Sequence, residues 1–513
     1  MFATTKSAQL IGLTADVIGI EVDIGKGLHS FSIVGLADKA IDEAKDRINA
    51  AIKNSGFKAP AKGNKKIVVS LAPADIKKTG THFDVGIALG FLLANGDIKF
   101  DPTNKLFLGE LALDGRIRPI RGTLFLAQKA RDAGFTEIYV PKENTKEAAL
   151  IDGLVVYGAE TLRELVDHLF PSIDPDAKRV SSNLVPAKRT VVKAKTSEPE
   201  IDMADVKGQA GAKRGLLIAA AGGHNVAMFG PPGTGKTMLA RAFAGILPPL
   251  NFAEILEATG IHSAAGVTRT LVVHPPYRAP HHTGSYVALV GGGTNPRPGE
   301  ITLAHTGVLF LDEFPEFDKK VLEALRQPLE DRRVTVARAK HTIDFPARFI
   351  LVAAMNPCPC GFRGAKARNC VCAPRDIARY ERKLSGPIVD RIDVWLQVAE
   401  VKHADLSAET KEKTSAELSE KVKKAREIQE KRFADTNINL NAEMSAKQLT
   451  QFVKLSKELT NLLNTSAERL GLSARAYHRV IKLARTIADL EASADIKENH
   501  LLEALQYRPK IQN

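Results

Sequence analysis

Eight consecutive residues, Gly230-Pro231-Pro232-Gly233-Thr234-Gly235-Lys236-Thr237, have the types and order to do chemistry on a phosphate. Glycines let backbone N–H groups close around phosphate oxygens. Lys236 brings a point charge to the β- and γ-phosphates, and the Thr237 hydroxyl can hold Mg²⁺. A short apolar strand, "NVAMF", leads in and a helical pattern, "KTMLARAFAG", leads out, so a helix N-terminus adds a dipole that favours anions. The eight residues are expected to bind ATP and Mg²⁺. About 75 residues later "GVLFLDEF" ends a strand in two acids. Asp312 would hold Mg²⁺ through water, and Glu313 would orient and activate the attacking water. A further strand, "RFILVAAMNP", ends in Asn356, which could hold that water or the γ-phosphate; a turn-forming Asn before Pro is the plainer reading of it.

All four cysteines of the 513-residue chain, Cys358, Cys360, Cys370 and Cys372, fall in "NPCPCGFRGAKARNCVCAP". C-x-C, nine residues and a second C-x-C give four thiolates in one loop, a set that tetrahedral Zn²⁺ accepts. A reduced loop without metal and a redox sensor are the alternatives. Four closed ligands leave no open position, so the expected Zn²⁺ is structural. It would stiffen a basic projection carrying Arg363, Lys366 and Arg368, which would touch DNA or a neighbouring subunit. The loop lies on a different element from the P-loop, so ATP binding is expected to survive loss of the metal. Upstream, "RRVTVARAKHTIDFPARF" alternates and returns, a hairpin with a basic tip. Arg338, Lys340 and His341 are the candidates for gripping a phosphate backbone; a solvated tip is the alternative. "HPPYRAPHHTGS" holds three histidines without carboxylate or regular ligand spacing, and reads as a loop insertion.

The elements that must position these residues fall into blocks. Residues 1–170 alternate strand and helix: "DVIGIEVDIG", "HSFSIVGL", "KIVVSL" and "TEIYVP" are strand runs, and a helix is expected over Asp38–Ser55. Residues 171–200, rich in Pro, Ser and Lys, read as a basic linker, most simply a solvated tether. Residues 201–400 form the P-loop block with a parallel sheet, and 401–513 are helical, with Leu418, Val422, Ala425 and Ile428 as one apolar stripe. The fold class is α/β with a helical C-terminal domain. Apolar content of 44% suffices for buried cores. No apolar run reaches the roughly 18 residues that span a bilayer, and the start lacks a signal-peptide core. A cytoplasmic protein without membrane contact is expected, where disulfides are disfavoured. A net charge of +13 favours a polyanionic partner.

"FGPPGTGKTMLA", "VALVGGGTNPRPGEITLAHTGVLFLDEFPEF", "LEALRQPLED" and "SGPIVDRIDV" together resemble AAA+ ATPases of the magnesium-chelatase-like branch, ComM/YifB type, over nearly the whole chain. The resemblance implies that Arg391 is an arginine finger reaching a neighbour's site, and that Arg475 in "LSARAYHRV" is a second sensor on the helical lid. It implies that "VKGQ" (Val206–Gln209) covers the adenine, that the basic hairpin faces a central pore, and that the assembly is a homo-hexameric ring. Residues 1–170 resemble the proteolytic domain of Lon through "GELALDGRIRPIRGTLFLAQKARDAGFTEIYVPKEN". Asp84 stands where that domain has its serine and Leu124 where it has its lysine, so a non-proteolytic module is expected. The implied function is an ATP-driven DNA motor, a helicase or branch-migration enzyme of DNA uptake and recombination, with single-stranded or branched DNA as partner. A chelatase-type motor for metal insertion and a remodeller of protein substrates are the alternatives.

Overall fold

The computed structural model describes residues 1–36, 38–61, 64–171, 184–191, 200–268, 270–293, 297–337, 342–365, 368–384, 386–401 and 412–509. Contacts divide the chain into two compact units: Met1–Lys193 with Ile255–Val272, and Ala194–Glu254 with Val273–Asn513.

The first unit is built on a four-stranded sheet. Alternating β-branched residues make Phe2–Ile11 and Thr14–Lys26 a hairpin, with Ile18, Ile20, Val22 and Ile24 turned into the core. Lys65–Ala72 pairs antiparallel with the second strand, and Ser30–Val34 joins parallel to Lys65–Ala72. Helix Asp84–Asn95 covers the sheet. Gly86 and Gly90, one turn apart, face the strands, and a Cβ there would lie 2.6 Å from Ile20 Cδ1 and 2.9 Å from Val22 Cγ2. The close approach of helix to sheet therefore requires both glycines. The helix expected over Asp38–Ser55 forms as two pieces, Lys39–Asp42 and Ala44–Asn54. A three-stranded parallel sheet, Lys105–Phe107, Glu137–Pro141 and Val155–Ala159, carries a stack of Phe107, Tyr139 and Tyr157 with successive ring centroids 5.0 Å apart.

Within the stretch read as a linker, residues 184–191 are fastened to this unit. Leu184 N donates to His168 Nδ1 at 3.2 Å and Ala187 N to Val156 O at 2.8 Å. The Ile255–Val272 segment is built in as well: Gly260 lies against the Phe125 ring, where a Cβ would meet it at 2.6 Å, and Gly122 N donates to Ser263 Oγ at 2.9 Å.

The second unit holds a five-stranded parallel sheet in the spatial order Tyr277–Arg278, Val308–Leu311, Ile350–Met355, Val226–Phe229, Val394–Gln397. Val308–Leu311 and Ile350–Met355 are buried at every position, which is why they read as unbroken apolar runs. Helices Ser415–Arg432, Lys457–Leu470, Ala474–Leu490 and Glu498–Gln506 follow, the first opened by a capping box between Thr414 and Glu417. Its inward stripe is Leu418, Val422, Ala425 and Gln429. The expected Ile428 is only half-buried, and Gln429 takes its place by bonding: its Nε2 donates to Ala221 O at 3.0 Å and its Oε1 accepts from Asn441 N at 2.8 Å. A fully satisfied amide is tolerated in a core. Among the described residues no helix is long and apolar enough to cross a membrane.

Candidate functional site

The sheet brings the expected phosphate chemistry to the carboxyl ends of three adjacent strands. Phe229 pairs with Met355 and Leu311 with Ala353, so Gly230, Asp312 and Asn356 emerge along one edge. Gly230 admits no side chain, since a Cβ would sit 2.1 Å from Val398 O. Gly233 and Gly235 take φ of 77° and 87°, the left-handed region where a side chain is strained. Lys236, first residue of helix Lys236–Gly245, is buried; its Nζ donates to Gly230 O and Pro231 O at 2.8 Å each, and to Asn356 Oδ1 at 3.2 Å. Burial pulls the Lys236 pKa down, and the Asp312 carboxylate opposes this.

Thr237 Oγ1 donates to Asp312 Oδ2 at 2.9 Å, which sets the two expected Mg²⁺-holding groups side by side. Glu313 N donates to Asp312 Oδ1 at 2.9 Å. Glu313 has φ of 51°, a strained conformation for a residue with a side chain. Its carboxylate lies 3.1 Å from His282 Nδ1. Sequence reading missed this partner, placing His282 in a loop insertion. No local pattern marks it: Tyr277–Arg278, shortly before His282, comes beside Val308–Leu311, which ends next to Glu313, only in the folded sheet. In the segment assigned to adenine, Gln209 Nε2 donates to Ala399 O at 2.6 Å and Gly208 N to Glu412 Oε1 at 3.3 Å.

Arg391 and Arg475 meet at one carboxylate. Arg391 Nη2 lies 2.5 Å and Arg475 Nη2 3.4 Å from Glu330 Oε1. Together they hold the Glu330 carboxyl below its ordinary pKa, the Arg391 hydrogen bond contributing most. The Arg475 side chain is 59% exposed, whereas that of Arg391 is 4% exposed. Glu330 is a second residue the sequence did not flag.

The four cysteines converge. Cys358 Sγ is 3.4 Å from Cys360 Sγ and 3.6 Å from Cys370 Sγ, and all four sulfurs lie within 4.8 Å of one another. Tetrahedral Zn–S bonds of about 2.3 Å put sulfurs roughly 3.8 Å apart, so the cluster fits such an ion and is too open for a disulfide of about 2.0 Å. Backbone N–H groups of Phe362 and Val371 draw the Cys360 thiol down, whereas at Cys370 and Cys372, against a backbone hydrogen bond, desolvation and the neighbouring thiols push both up. Arg363 pairs with Glu381 at 2.6 Å, and the Arg368 guanidinium sits 5.3 Å from the Phe362 ring centroid. The loop is not independent of the P-loop. Gly361, at φ 84°, packs so closely that a Cβ would lie 2.7 Å from Pro232. That contact gives loss of the metal a route to the P-loop, against the expectation that ATP binding survives it.

The expected DNA-gripping residues Arg338, Lys340 and His341 lie outside the described residues. The strands that flank them do form a hairpin, Arg333–Ala337 with Thr342–Pro346, in which Val334 pairs with Phe345 and Val336 with Ile343. In the first unit, Asp84 is buried and gripped by Arg47, Nε to Oδ2 at 2.9 Å and Nη2 to Oδ1 at 3.2 Å, while Leu111 N donates to Oδ2 at 3.2 Å. Burial pushes the Asp84 pKa up to about 6 against the pull of Arg47. Leu124 is buried.

A five-stranded parallel sheet in this order, with a P-loop on one inner strand, an Asp-Glu pair on another and an Asn on the strand between them, defines a P-loop ATPase of the AAA+ class. Family comparison agrees. Residues 202–406 match magnesium chelatase subunit ChlI, residues 20–144 match subunit ChlI of Mg-chelatase, and residues 412–508 match the ChlI C-terminal region. The competence protein ComM of Haemophilus influenzae is 41% identical over 99% of this chain and 98% of its own length. The uncharacterized protein YifB of Escherichia coli is 41% identical over 97% and 95%. The DNA replication licensing factor mcm6 of Dictyostelium discoideum is 22% identical over 58% of this chain and 33% of its own. The chain belongs to the magnesium-chelatase ChlI family as a ComM/YifB homologue, and its AAA+ domain implies ATP hydrolysis.

Proposed function

We propose that the chain is a cytoplasmic, ATP-driven DNA motor that works as a homo-hexameric ring on single-stranded or branched DNA, in uptake and recombination. The observation that carries the DNA reading is the place of the hairpin in the chain. Arg333–Ala337 and Thr342–Pro346 are inserted between the strand that ends in Asp312 and Glu313 and the strand that ends in Asn356. The hairpin thus adjoins the Asn356 strand, and it reaches the acid strand through helices Lys319–Ala324 and Arg326–Asp331. The +13 net charge suits a polyanion, and the name of the Haemophilus relative, competence protein, accords with DNA uptake.

Each residue has a role in this reading. Backbone N–H groups of Gly233, Thr234 and Gly235 and the Lys236 ammonium hold the phosphates; Thr237 and Asp312 would hold Mg²⁺, which would supply positive charge against the phosphate. Glu313 takes a proton from the attacking water, and Asn356 positions it. Arg391 and Arg475 stabilise transition-state charge, Arg391 in the neighbouring subunit. Arg338, Lys340 and His341 grip phosphates. Cys358, Cys360, Cys370 and Cys372 hold a structural Zn²⁺ that stiffens the loop beside Asn356. Residues 1–170 act as a structural or interaction module, since a buried carboxylate gripped by Arg47 is no nucleophile.

A second reading, a chelatase-type motor that drives metal insertion through a partner, is favoured by the magnesium-chelatase family match. ATP turnover with linear, forked and four-way DNA, and separately with a porphyrin and Mg²⁺, separates the two. Stimulation by DNA is expected; stimulation by the porphyrin alone would overturn the DNA reading.

A further inference from the structure

Arg391 has little freedom beyond its own side chain. Its carbonyl accepts from Asn225 Nδ2 at 3.0 Å and from Arg479 Nη1 at 3.2 Å, and Arg479 is also paired with Asp393. Asn225 precedes the P-loop strand, and its Oδ1 accepts from Leu351 N of the neighbouring strand at 2.9 Å. The backbone around Arg391 is thus pinned to the sheet, and the rotamer of Arg391 decides where its charge goes. Nη1 donates to Pro387 O at 2.5 Å, Nη2 meets Glu330, and Nε has no partner among the described residues. Glu330 is the carboxylate that selects this rotamer, and the same Oε1 also faces Arg475.

Glu330 in turn belongs to the hairpin. Its helix, Arg326–Asp331, enters strand Arg333–Ala337 through the single residue Arg332, at φ 57°. Gln327 Nε2 donates to Thr335 Oγ1 at 3.1 Å, and Thr335 Oγ1 donates to Asp344 Oδ1 on the return strand at 2.6 Å. Ala347 N closes on Arg332 O at 2.7 Å. Helix and hairpin are joined through Arg332 and by the Gln327–Thr335 hydrogen bond, so a displacement of the strands is carried to the Glu330 carboxylate.

We infer that Glu330 is a positioning residue that withholds Arg391 and Arg475 from phosphate until movement of the hairpin withdraws its carboxylate. This rests on the reading of Arg391 as a finger and of the hairpin as the DNA grip. Carboxylate and phosphate compete for the same planar guanidinium, so the hold opposes the catalytic contact. DNA on the hairpin stimulates hydrolysis by favouring the released arrangement, to the extent that it binds that arrangement more tightly.

Glu330→Gln keeps the length of the side chain and removes its charge. Expected are a DNA-free ATP turnover raised about threefold or more, a ratio of DNA-stimulated to basal rate reduced to about one, and a KM for ATP within about twofold of the parent. Glu330→Asp, which keeps a charge on a shorter arm, should restore part of the DNA dependence, a response that a merely structural residue would not give. Wild-type basal rate and wild-type DNA stimulation in Glu330→Gln, alongside an inactive Arg391→Ala, would overturn the role of Glu330 and leave the finger standing. Wild-type hydrolysis in Arg391→Ala would remove the finger and the inference with it. A folded Glu330→Gln protein that loses turnover with and without DNA would also overturn it, making Glu330 a support for the arginines and not a restraint. Should Glu330→Gln not fold, Glu330→Asp decides: a raised basal rate with reduced stimulation supports the inference, and parental values overturn it.

Discussion

In the proposed reading, Lys236 and Glu313 divide the work at the phosphate. The buried Lys236 ammonium is held by two loop carbonyls and Asn356, groups that a phosphate would replace. Lys236→Ala should therefore abolish ATP binding, measured by titration with a fluorescent analogue. Glu313→Gln should bind ATP normally and hydrolyse it about 100-fold or more slowly, since a general base contributes roughly that much. Turnover at the normal rate would refute the assignment of Glu313. Asp84 offers a different test. Its pKa is raised by burial from 3.8 to about 6, so its contribution to stability is fully present below about 3.8 and is lost as pH rises through about 6. Relative to Asp84→Asn, the wild-type first unit should lose on the order of 1–3 kcal/mol between pH about 4 and 7, read from amide exchange in that unit. His82, buried and lowered to about 4, titrates in both proteins, and the comparison cancels it. A difference that does not change with pH would mean that Arg47 fully offsets the burial of Asp84.

At the scale of elements, the cysteine loop and the P-loop touch through Gly361 and Pro232. Purified protein should carry about one zinc per chain by metal analysis, and Cys358→Ser or Cys372→Ser should release it. The same variants should bind ATP several-fold more weakly, because the loop that backs Pro232 loses its brace; unchanged affinity would show the contact to be inert. How much of this was readable beforehand follows from the range of the forces involved. The P-loop, the acid strand and the Asn356 strand were legible because each is a short local pattern: an unbroken apolar run followed by a polar residue that must emerge at the strand end. The clustering of four cysteines was legible for the same reason. His282 and Glu330 were not, since their partners Glu313 and Arg391 come near only when the sheet forms. Gln429 was hidden because a polar residue in a helix looks solvated unless its partners, Ala221 O and Asn441 N, are known to converge on it. The inclusion of residues 255–272 in the first unit left no compositional mark, as a helix buried against one sheet reads like a helix buried against another.

For the whole molecule, a ring whose sites are completed across subunits should show it in mixtures. Arg391→Ala should lose hydrolysis by about 10³-fold or more while keeping nucleotide affinity, as expected of a group that meets only transition-state charge. Mixing it with Lys236→Ala subunits should restore partial turnover at interfaces that pair an intact pocket with an intact finger. No recovery at any ratio would argue against a finger in trans. The grip on DNA should behave as counterion release. Replacing both Arg338 and Lys340 with Ala should weaken binding to all sequences alike and flatten the salt slope by about two contacts. Basal ATP turnover should persist, because the P-loop and the acid pair lie on other elements, while stimulation by DNA should vanish. A double variant with unchanged affinity and salt slope would move attention to the basic cysteine loop.

The return of Ile255–Val272 to the core of the first unit has a bearing on how such a gene can be divided. The backbone changes unit after Lys193, after Glu254 and again after Val272. No single cut separates the ATPase from its companion. A fragment beginning near residue 200 would carry Leu256, Gly260 and Ser263 without the apolar cluster, the Phe125 ring and Gly122 that they meet in the intact chain. Such a strip of bare apolar surface invites proteolysis and aggregation. Fission of the coding sequence at the linker would leave a damaged product, so the two units are constrained to be inherited, synthesised and degraded together.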